Sequence, residues 1–294
     1  MKESDFLKTY RQEDYERPSV AVDMTVFSVR DFLTENYRKL PQKVFSVLLI
    51  KRAEHPFKEM WALPGGFIRK GESAEIAARR ELSEETGLTR ADLKPLGVFS
   101  EPERDPRGWI ISCGFMALTE DDKTPLSSEN DAMQARWFSV SLKDKETFAS
   151  ATENGYRKTV LKKLILTDGK TELSAVIEVQ ETATLYGKQI SYNVKENNGL
   201  AFDHAKIIAF SVDKIRSGLA TSTDAFRFVG DSFTLTELQQ IYETILDKKL
   251  LAPNFRRKIK PFVEITSART APRGHRRAVL YRRNVKAFLE SGIL

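Results

Sequence analysis

The first half of the chain has the apolar pattern of strands arranged around one helix. Residues 72–86 have helical periodicity, and Gly87 follows at the position where glycine usually ends a helix in the left-handed conformation. Short runs rich in β-branched and aromatic residues predict strands on both sides of this helix, at residues 18–29, 43–51, 109–118 and 135–140. We therefore expect one mixed domain that ends near Ala149.

The pattern is weaker between residues 150 and 200, where it predicts a linker or a small β insertion. Residues 156–166 have an apolar spacing that favours a helix. The dipeptide Asp168-Gly169 is typical of a hairpin turn, and the apolar residues after it alternate as they do in a strand. The segment from residue 167 to 198 is longer than a simple linker needs to be.

Two helices are indicated at the start of the last third of the chain. Asp203 is a candidate N-cap for a helix with one apolar side that stops at Gly218. Thr234 and Glu237 have the spacing of a capping box, and apolar residues follow them at helical spacing. These two elements are expected to begin a C-terminal domain.

A third, short helix and two strands complete this predicted domain. Pro253 opens the helix at residues 254–260, where two apolar residues face inward and the other side is basic. Residues 263–266 and 278–282 can pair as strands around a basic loop. The sequence of elements is that of a helix-turn-helix followed by a wing. The residues expected to hold the domain together are Phe255, Ile259, Val279, Leu280 and Tyr281.

Length and composition bound the class of protein. A chain of 294 residues predicts two domains, and 41% hydrophobic with 30% charged residues excludes a disordered chain, a collagen-like fibre and a disulfide scaffold. The apolar runs fall short of the roughly 18 residues that a membrane span needs, and no signal peptide is expected. Cys113 is the single cysteine, so no intramolecular disulfide can form. We expect a buried thiol and a cytoplasmic location.

Charge is distributed unevenly along the chain. The net charge is +6, yet residues 253–294 alone hold eleven basic and two acidic residues and carry +9, which leaves −3 for the other 252. A basic end on a mildly acidic body is expected where that end meets a polyanion such as double-stranded DNA. A merely solvated basic surface is the alternative. The candidate DNA-binding residues are Asn254, Arg256, Arg257, Lys258, Lys260, Arg273, His275, Arg276 and Arg277.

Carboxylates cluster on one side of the predicted helix at residues 72–86. Because spacings of three and four residues return to the same face, Glu81, Glu84 and Glu85 fall within an arc of about 100°. Alanines at positions 74, 77 and 78 lie on the same side, and we expect them to leave room for a ligand. Clustered carboxylates repel one another unless a cation is present, and they are ligands for a hard ion such as Mg²⁺ or Mn²⁺. A diphosphate bound to such an ion is activated for attack by water.

The spacing around these carboxylates resembles the Nudix box. From Gly66 the chain has Gly-x5-Glu-x7-Arg-Glu-Leu-Ser-Glu-Glu-Thr-Gly-Leu, which fills every specified position. The resemblance extends over residues 17–148. It implies metal-dependent hydrolysis of a nucleoside diphosphate derivative, with Arg80 orienting a glutamate. It also implies catalytic roles for Glu81, Glu84 and Glu85, and a metal site made by these three with Glu72 and the backbone of Gly66.

Substrate contacts are predicted from residue chemistry beside the box. Arg52 and Arg107 are candidates for holding phosphates, and Trp61 is a candidate for stacking on a base. Each has an ordinary structural role as its alternative. Glu103 and Asp105 are further candidates for a metal ligand or a base.

Over most of its length the chain resembles the Nudix-related transcriptional regulators. Segments that carry this resemblance include 61–67, 105–108, 200–205, 233–238, 254–258 and 276–283. It implies an α+β protein, with a Nudix α/β/α sandwich at 1–149, a linker or β insertion at 150–200 and a winged helix-turn-helix domain at 201–294. It also implies a homodimer that senses ADP-ribose or a related metabolite.

The complete box leaves three functions open. A regulator that slowly hydrolyses its own effector fits every feature noted, whereas many regulators of this kind have lost the metal-binding glutamates. A pure sensor is the second possibility. The third is a plain Nudix hydrolase of the ADP-ribose pyrophosphatase type whose basic C-terminal domain serves assembly.

Overall fold

The computed structural model describes residues 2–32, 41–89, 91–120, 134–219, 224–270 and 277–290. Most strands join one large sheet, and a separate pair forms a hairpin near the C-terminus. The strands of the large sheet are β1 (Ser19–Phe32), β2 (Gln42–Lys51), β3 (Trp61–Ala62), β4 (Gly65–Phe67), β5 (Asp92–Phe99), β6 (Ile110–Leu118), β7 (Ala135–Thr152), β8 (Gly155–Thr167), β9 (Glu172–Thr184) and β10 (Gly187–Asn198). The C-terminal hairpin consists of β11 (Val263–Arg269) and β12 (Val279–Arg283).

Helices lie before, between and after these strands. They are α1 (Glu3–Thr9), α2 (Ala74–Thr86), α3 (His204–Gly218), α4 (Leu235–Leu246), α5 (Ala252–Ile259) and α6 (Val285–Glu290). Among the helices described, none is long and apolar enough to cross a membrane.

The large sheet has the order β10-β9-β8-β7-β2-β1-β6-β5, with β3 paired to β2 and β4 paired to β1. Strands β1 and β6 are parallel, whereas the other pairs are antiparallel. Both outermost strands break register, β5 between Pro95 and Gly97 and β10 between Val194 and Glu196. Strand β1 lies between β2 and β6 and is buried along most of its length.

Helix α2 covers one face of the sheet. The hydroxyl of Ser73 accepts a hydrogen bond from the Ile76 amide at 3.3 Å, and Gly87 ends the helix at a φ of 73° as predicted. Ala77 and Ala78 are fully buried in a core with strand residues such as Met24. The expectation that alanines here leave room for a ligand is wrong for these two, because they contact the sheet.

The opposite face of the sheet is covered by helices from the C-terminal half. Buried side chains of α3, including Ile208 and Val212, share one apolar core with Phe27 of β1 and Phe45 of β2. This core continues through α4 and α5. The second helical layer of the sandwich therefore comes from beyond residue 200, and residue 149, the expected end of the first domain, lies inside β7.

Residues 156–166 are a strand, so the predicted helix in this segment is wrong. They form most of β8, which pairs with β7 and β9 along its whole length. The apolar residues Val160, Leu164 and Leu166 fit a helical spacing in part, but pairing on both sides favours the extended chain. The alternation after Asp168-Gly169 is confirmed as β9. Strand β5 was not predicted.

The C-terminal elements match the predicted helix-turn-helix with a wing. The hydroxyl of Thr234 caps α4 by accepting from the Glu237 amide at 3.0 Å, whereas the Glu237 carboxylate pairs with Lys43 on β2. Phe255 and Ile259 of α5 are buried, and β11 pairs with β12. The side chain of Asp203 makes no cap at α3.

Candidate ligand site and nucleic-acid interface

The loop before α2 lies directly against the carboxylates of that helix. A β-carbon added to Gly66 would stand 2.4 Å from Oε1 of Glu81, so only glycine lets this carboxylate approach the β4 backbone. One position earlier, the amide of Gly65 donates to Oε2 of Glu85 at 2.8 Å. The two glycines thus bring the start of β4 to two of the three predicted catalytic glutamates.

Arg80 joins the remaining carboxylates. Its guanidinium donates to Glu72 at 2.7 and 2.9 Å, to Glu81 at 2.6 Å and to Glu84 at 3.1 Å. Hydrogen bonds from Arg80 lower the pKa of Glu72 to about 2, and the same contacts raise the pKa of Arg80. Arg80 therefore orients glutamates, as the resemblance implies.

Glu85 is the carboxylate in greatest need of a cation. Burial raises its pKa to about 8, and the nearby charges of Glu81 and Asp23 act in the same direction against the hydrogen bond from Gly65. Oxygen ligands of this kind suit a hard divalent ion. Arg80 lies among these carboxylates. Within the described residues, no three acidic, histidine or cysteine side chains are arranged so that they could hold a metal ion together.

Arg52 and Arg107 lie together at one aromatic ring. The Cζ atoms of Arg52 and Arg107 are 4.9 and 5.3 Å from the ring centroid of Phe202, which lies just before α3. Burial, followed by the positive charge of Arg107, lowers the pKa of Arg52. The charge of Arg52 in turn opposes the rise in the pKa of Glu85, so Arg52 borders the carboxylate site.

Trp61, Asp105 and Glu103 have different surroundings from those expected. Trp61 is only 5% exposed and packs edge-on against Phe138 at 4.7 Å, so its ring has no open face for a base and the predicted stacking does not fit. Asp105 is buried, and its two oxygens accept from Arg107 at 3.0 and 2.7 Å. Glu103 is exposed in the same loop.

Sequence reasoning missed a buried polar cluster around Asp23. This carboxylate accepts from Arg104 at 3.0 Å and from Ser112 at 2.5 Å, and it lies 3.3 Å from Nε2 of His204. Burial raises the pKa of Asp23, but the charges and hydrogen bonds of these partners outweigh it and hold the pKa below its usual range. One signal for this cluster was present in the sequence: Asp23 is a charged residue inside the apolar run of β1.

The cluster also fastens the C-terminal half to the sheet. Arg104 donates to both oxygens of Asp203 at 2.7 and 3.1 Å, and Nδ1 of His204 accepts from the Leu63 amide at 2.9 Å. Asp203 thus serves as an ion-pair partner where a helix cap was expected. The start of α3 is bound to the loop that leads to Gly65.

The predicted DNA-binding residues of α5 form an exposed basic face. Asn254, Arg256, Arg257 and Lys258 are exposed there, as is Lys260 at the end of the helix. Arg277 is exposed at the start of the second wing segment, whereas Arg273, His275 and Arg276 lie outside the described residues. Cys113, expected to be buried, is half-buried on β6.

Comparison with known proteins follows the same division of the chain. Residues 34–157 match the family model of the NUDIX domain, and residues 225–283 match that of the NrtR DNA-binding winged helix domain. Over 142 residues the chain is 39% identical to an ADP-ribose pyrophosphatase of Methanocaldococcus jannaschii, covering 48% of this chain and 73% of that one. The chain belongs to the Nudix family.

Two further comparisons extend over nearly the whole Nudix chain. It is 27% identical over 283 residues to the ADPR responsive transcriptional repressor NtrR of Acinetobacter baylyi, covering 95% of this chain and 88% of that one. The crystal structure of Shewanella oneidensis NrtR complexed with a 27mer DNA has a similar fold, with a TM-score of 0.57 at 22% identity, covering 91% and 94%. The predicted union of a Nudix domain with a winged helix is confirmed.

Proposed function

We propose that this Nudix protein is a transcriptional regulator that binds DNA through its C-terminal half and senses ADP-ribose or a related nucleoside diphosphate at the box. The observation that carries the proposal is the exposed basic face of α5 on a winged helix that shares one apolar core with the Nudix sheet. Homodimer formation and a cytoplasmic location, both expected from the sequence, remain part of the proposal.

The carboxylate site supports retained hydrolytic activity. Nudix hydrolases generally use divalent metals, and the oxygen donors of Glu81, Glu84 and Glu85, with Glu72 and the Gly66 carbonyl, suit Mg²⁺ or Mn²⁺. When bound, the ion neutralises a diphosphate and polarises its phosphorus. Arg80 contacts Oε1 of Glu81 and Oε2 of Glu84, so each of these carboxylates has a second oxygen that can serve as a ligand while Arg80 keeps it oriented.

The chain's own groups supply binding and proton transfer. Arg52 and Arg107 present two guanidinium groups at one ring, and Arg52 lies close enough to Glu85 to affect its pKa, which suits a diphosphate bound next to the carboxylates. Glu81 is the proposed base for the attacking water, because its oxygen lies at the β4 backbone rather than in the sheet core.

Catalysis is tested by following AMP release from excess ADP-ribose with Mg²⁺. We expect Glu84→Gln to lose most of the turnover. The matched control is Glu75→Gln, since Glu75 lies on the same helix but pairs with Arg79 on its exposed side. Turnover that is equal in both variants contradicts the assigned site.

DNA binding is tested by fluorescence anisotropy with a duplex from the promoter next to the protein's own gene. We expect binding that weakens steeply with salt, and Arg256→Ala with Arg257→Ala to weaken it further. The control is Lys249→Ala, an exposed lysine on the preceding turn that pairs with Glu243. Absence of binding at low salt contradicts the regulator.

A plain hydrolase is the second candidate, and the complete box favours it. In that case ADP-ribose is turned over many times, the promoter duplex is not bound, and the basic domain serves assembly. A pure sensor gives DNA binding that responds to ADP-ribose without AMP release.

A further inference from the structure

Phe202 belongs to the C-terminal half in sequence but contacts Nudix residues in space. Its ring lies within 6 Å of both guanidinium carbons of Arg52 and Arg107, the range of a cation–π contact. Phe57 packs edge-on against the same ring at 4.8 Å. Both arginines therefore contact one half-buried ring, and Arg52 of this pair borders the carboxylate site.

The backbone holds this ring in place at some cost. Phe202 has a φ of 51°, in the left-handed region that bulky residues rarely adopt. Such conformations persist where the surroundings enforce them, and they concentrate at ligand sites. The Ala201 amide donates to the carbonyl of Trp61 at 2.8 Å, and the Trp61 amide donates to Gly199 at 2.9 Å. These bonds seat the segment on the Nudix loop.

Two cations beside one ring form a site prepared for an anion. Arg107 is paired with Asp105, whereas Arg52 donates to the carbonyl oxygens of Pro56 at 2.7 Å and Glu54 at 3.5 Å. Like charges repel, and the negative face of the ring offsets part of that repulsion. A diphosphate supplies Arg52, which donates to neutral carbonyl oxygens, with the negative charge that Asp105 supplies to Arg107.

We propose that Phe202 is a positioning residue of the nucleoside diphosphate site, which holds Arg52 and Arg107 side by side before the ligand binds. The inference rests on the proposed function, because it takes the ligand to be a nucleoside diphosphate. The next residue, Asp203, is tied to Arg104 and directly precedes α3, so a ligand that contacts the ring is linked to the helices of the C-terminal half.

The test compares Phe202→Leu with wild type by calorimetric titration of ADP-ribose. Leucine keeps an apolar side chain but lacks the aromatic face, so we expect the Kd to rise about tenfold. Phe202→Tyr keeps the ring and should restore the wild-type Kd. Phe210→Leu is the control, because Phe210 lies on α3 against Phe99 and Tyr192.

A second readout separates positioning from general damage. DNA affinity without ADP-ribose should be unchanged in Phe202→Leu, whereas the change in DNA affinity caused by a fixed ADP-ribose concentration should be smaller than in wild type. If Phe202→Leu does not fold, Phe202→Asn replaces it, since asparagine tolerates the left-handed backbone.

The outcomes distinguish the inference from the proposed function. If wild type binds ADP-ribose and the leucine or asparagine variant binds it equally well, the inference is overturned while the proposed function stands. If wild type does not bind ADP-ribose at all, the proposed ligand is wrong and the inference falls with it.

Discussion

At the scale of single residues, the site depends on a glycine that leaves space as much as on charged side chains. Gly66 is required because the Glu81 carboxylate occupies the space of a β-carbon. Burial raises the pKa of Glu85 to about 8, and Arg80 holds three other carboxylates together. Each of these residues shapes where a cation and a diphosphate can bind.

Gly66→Ala should reduce ADP-ribose hydrolysis more than tenfold with little loss of stability. The new methyl group meets the end of a flexible side chain, so Glu81 moves while the sheet stays intact. Turnover and melting temperature measured together check this. Gly230→Ala is the control, because its β-carbon meets nothing closer than 3.6 Å. A melting temperature that falls as far as activity would contradict the explanation.

The pKa of Glu85 predicts how stability depends on pH without metal. Folded Glu85 keeps its proton to about pH 8, whereas the ordinary pKa is 4.5, so the folded state binds the extra proton between these values. Its contribution to stability is therefore present at low pH and lost as pH rises. In buffer that contains a metal chelator, the free energy of unfolding should fall between about pH 5 and pH 8. The fall should be about 1 to 3 kcal/mol larger for wild type than for Glu85→Gln. Parallel denaturation curves for the two proteins would exclude this.

At the scale of elements, sequence reasoning succeeded where the signal is local. The glycine that ends α2, the capping threonine of α4, the hairpin turn at Asp168-Gly169 and the pairing of the wing strands are each visible in a few neighbouring residues. Strand β8 was mistaken for a helix because its conformation depends on pairing with β7 and β9. These partners lie outside residues 156–166, so the spacing within that segment does not show them. Phe202 lay in a segment that was noted, but only the fold shows that its ring meets Arg52.

Thr234→Ala should destabilise the protein by about 1 kcal/mol, because the Glu237 amide loses its side-chain acceptor at the start of α4. Urea denaturation measures the change. Thr236→Ala is the matched control: Thr236 is exposed on the first turn of α4, and alanine favours a helix there. Equal losses in both variants would show that the cap is unimportant.

At the scale of the whole molecule, the two halves share their interior. One apolar core contains Phe27 and Phe45 of the sheet together with Ile208 of α3, Ile241 of α4 and Phe255 of α5. The polar cluster of Asp23, Arg104, Asp203 and His204 fastens the same junction. The sequence predicts two separate domains, whereas in the structure the two halves pack around one continuous core.

The shared core predicts a single unfolding transition. The tryptophans at positions 61, 109 and 137 all lie in the first half, so their fluorescence reports on the sheet, whereas circular dichroism also reports on the C-terminal helices. Both probes should give the same urea midpoint. Ile208→Ala removes a fully buried side chain and should lower both midpoints together, by about 2 to 5 kcal/mol in stability. A shift confined to one probe would mean that the halves unfold independently.

The broken register at both ends of the large sheet also bears on how the protein behaves in a crowded solution. A long flat strand with free amides is a template for a neighbouring chain, and aggregation begins at such borders. Here Pro95 interrupts one border strand and a bulge at Lys195 interrupts the other. Edge-to-edge pairing between the sheets of two copies is thereby discouraged.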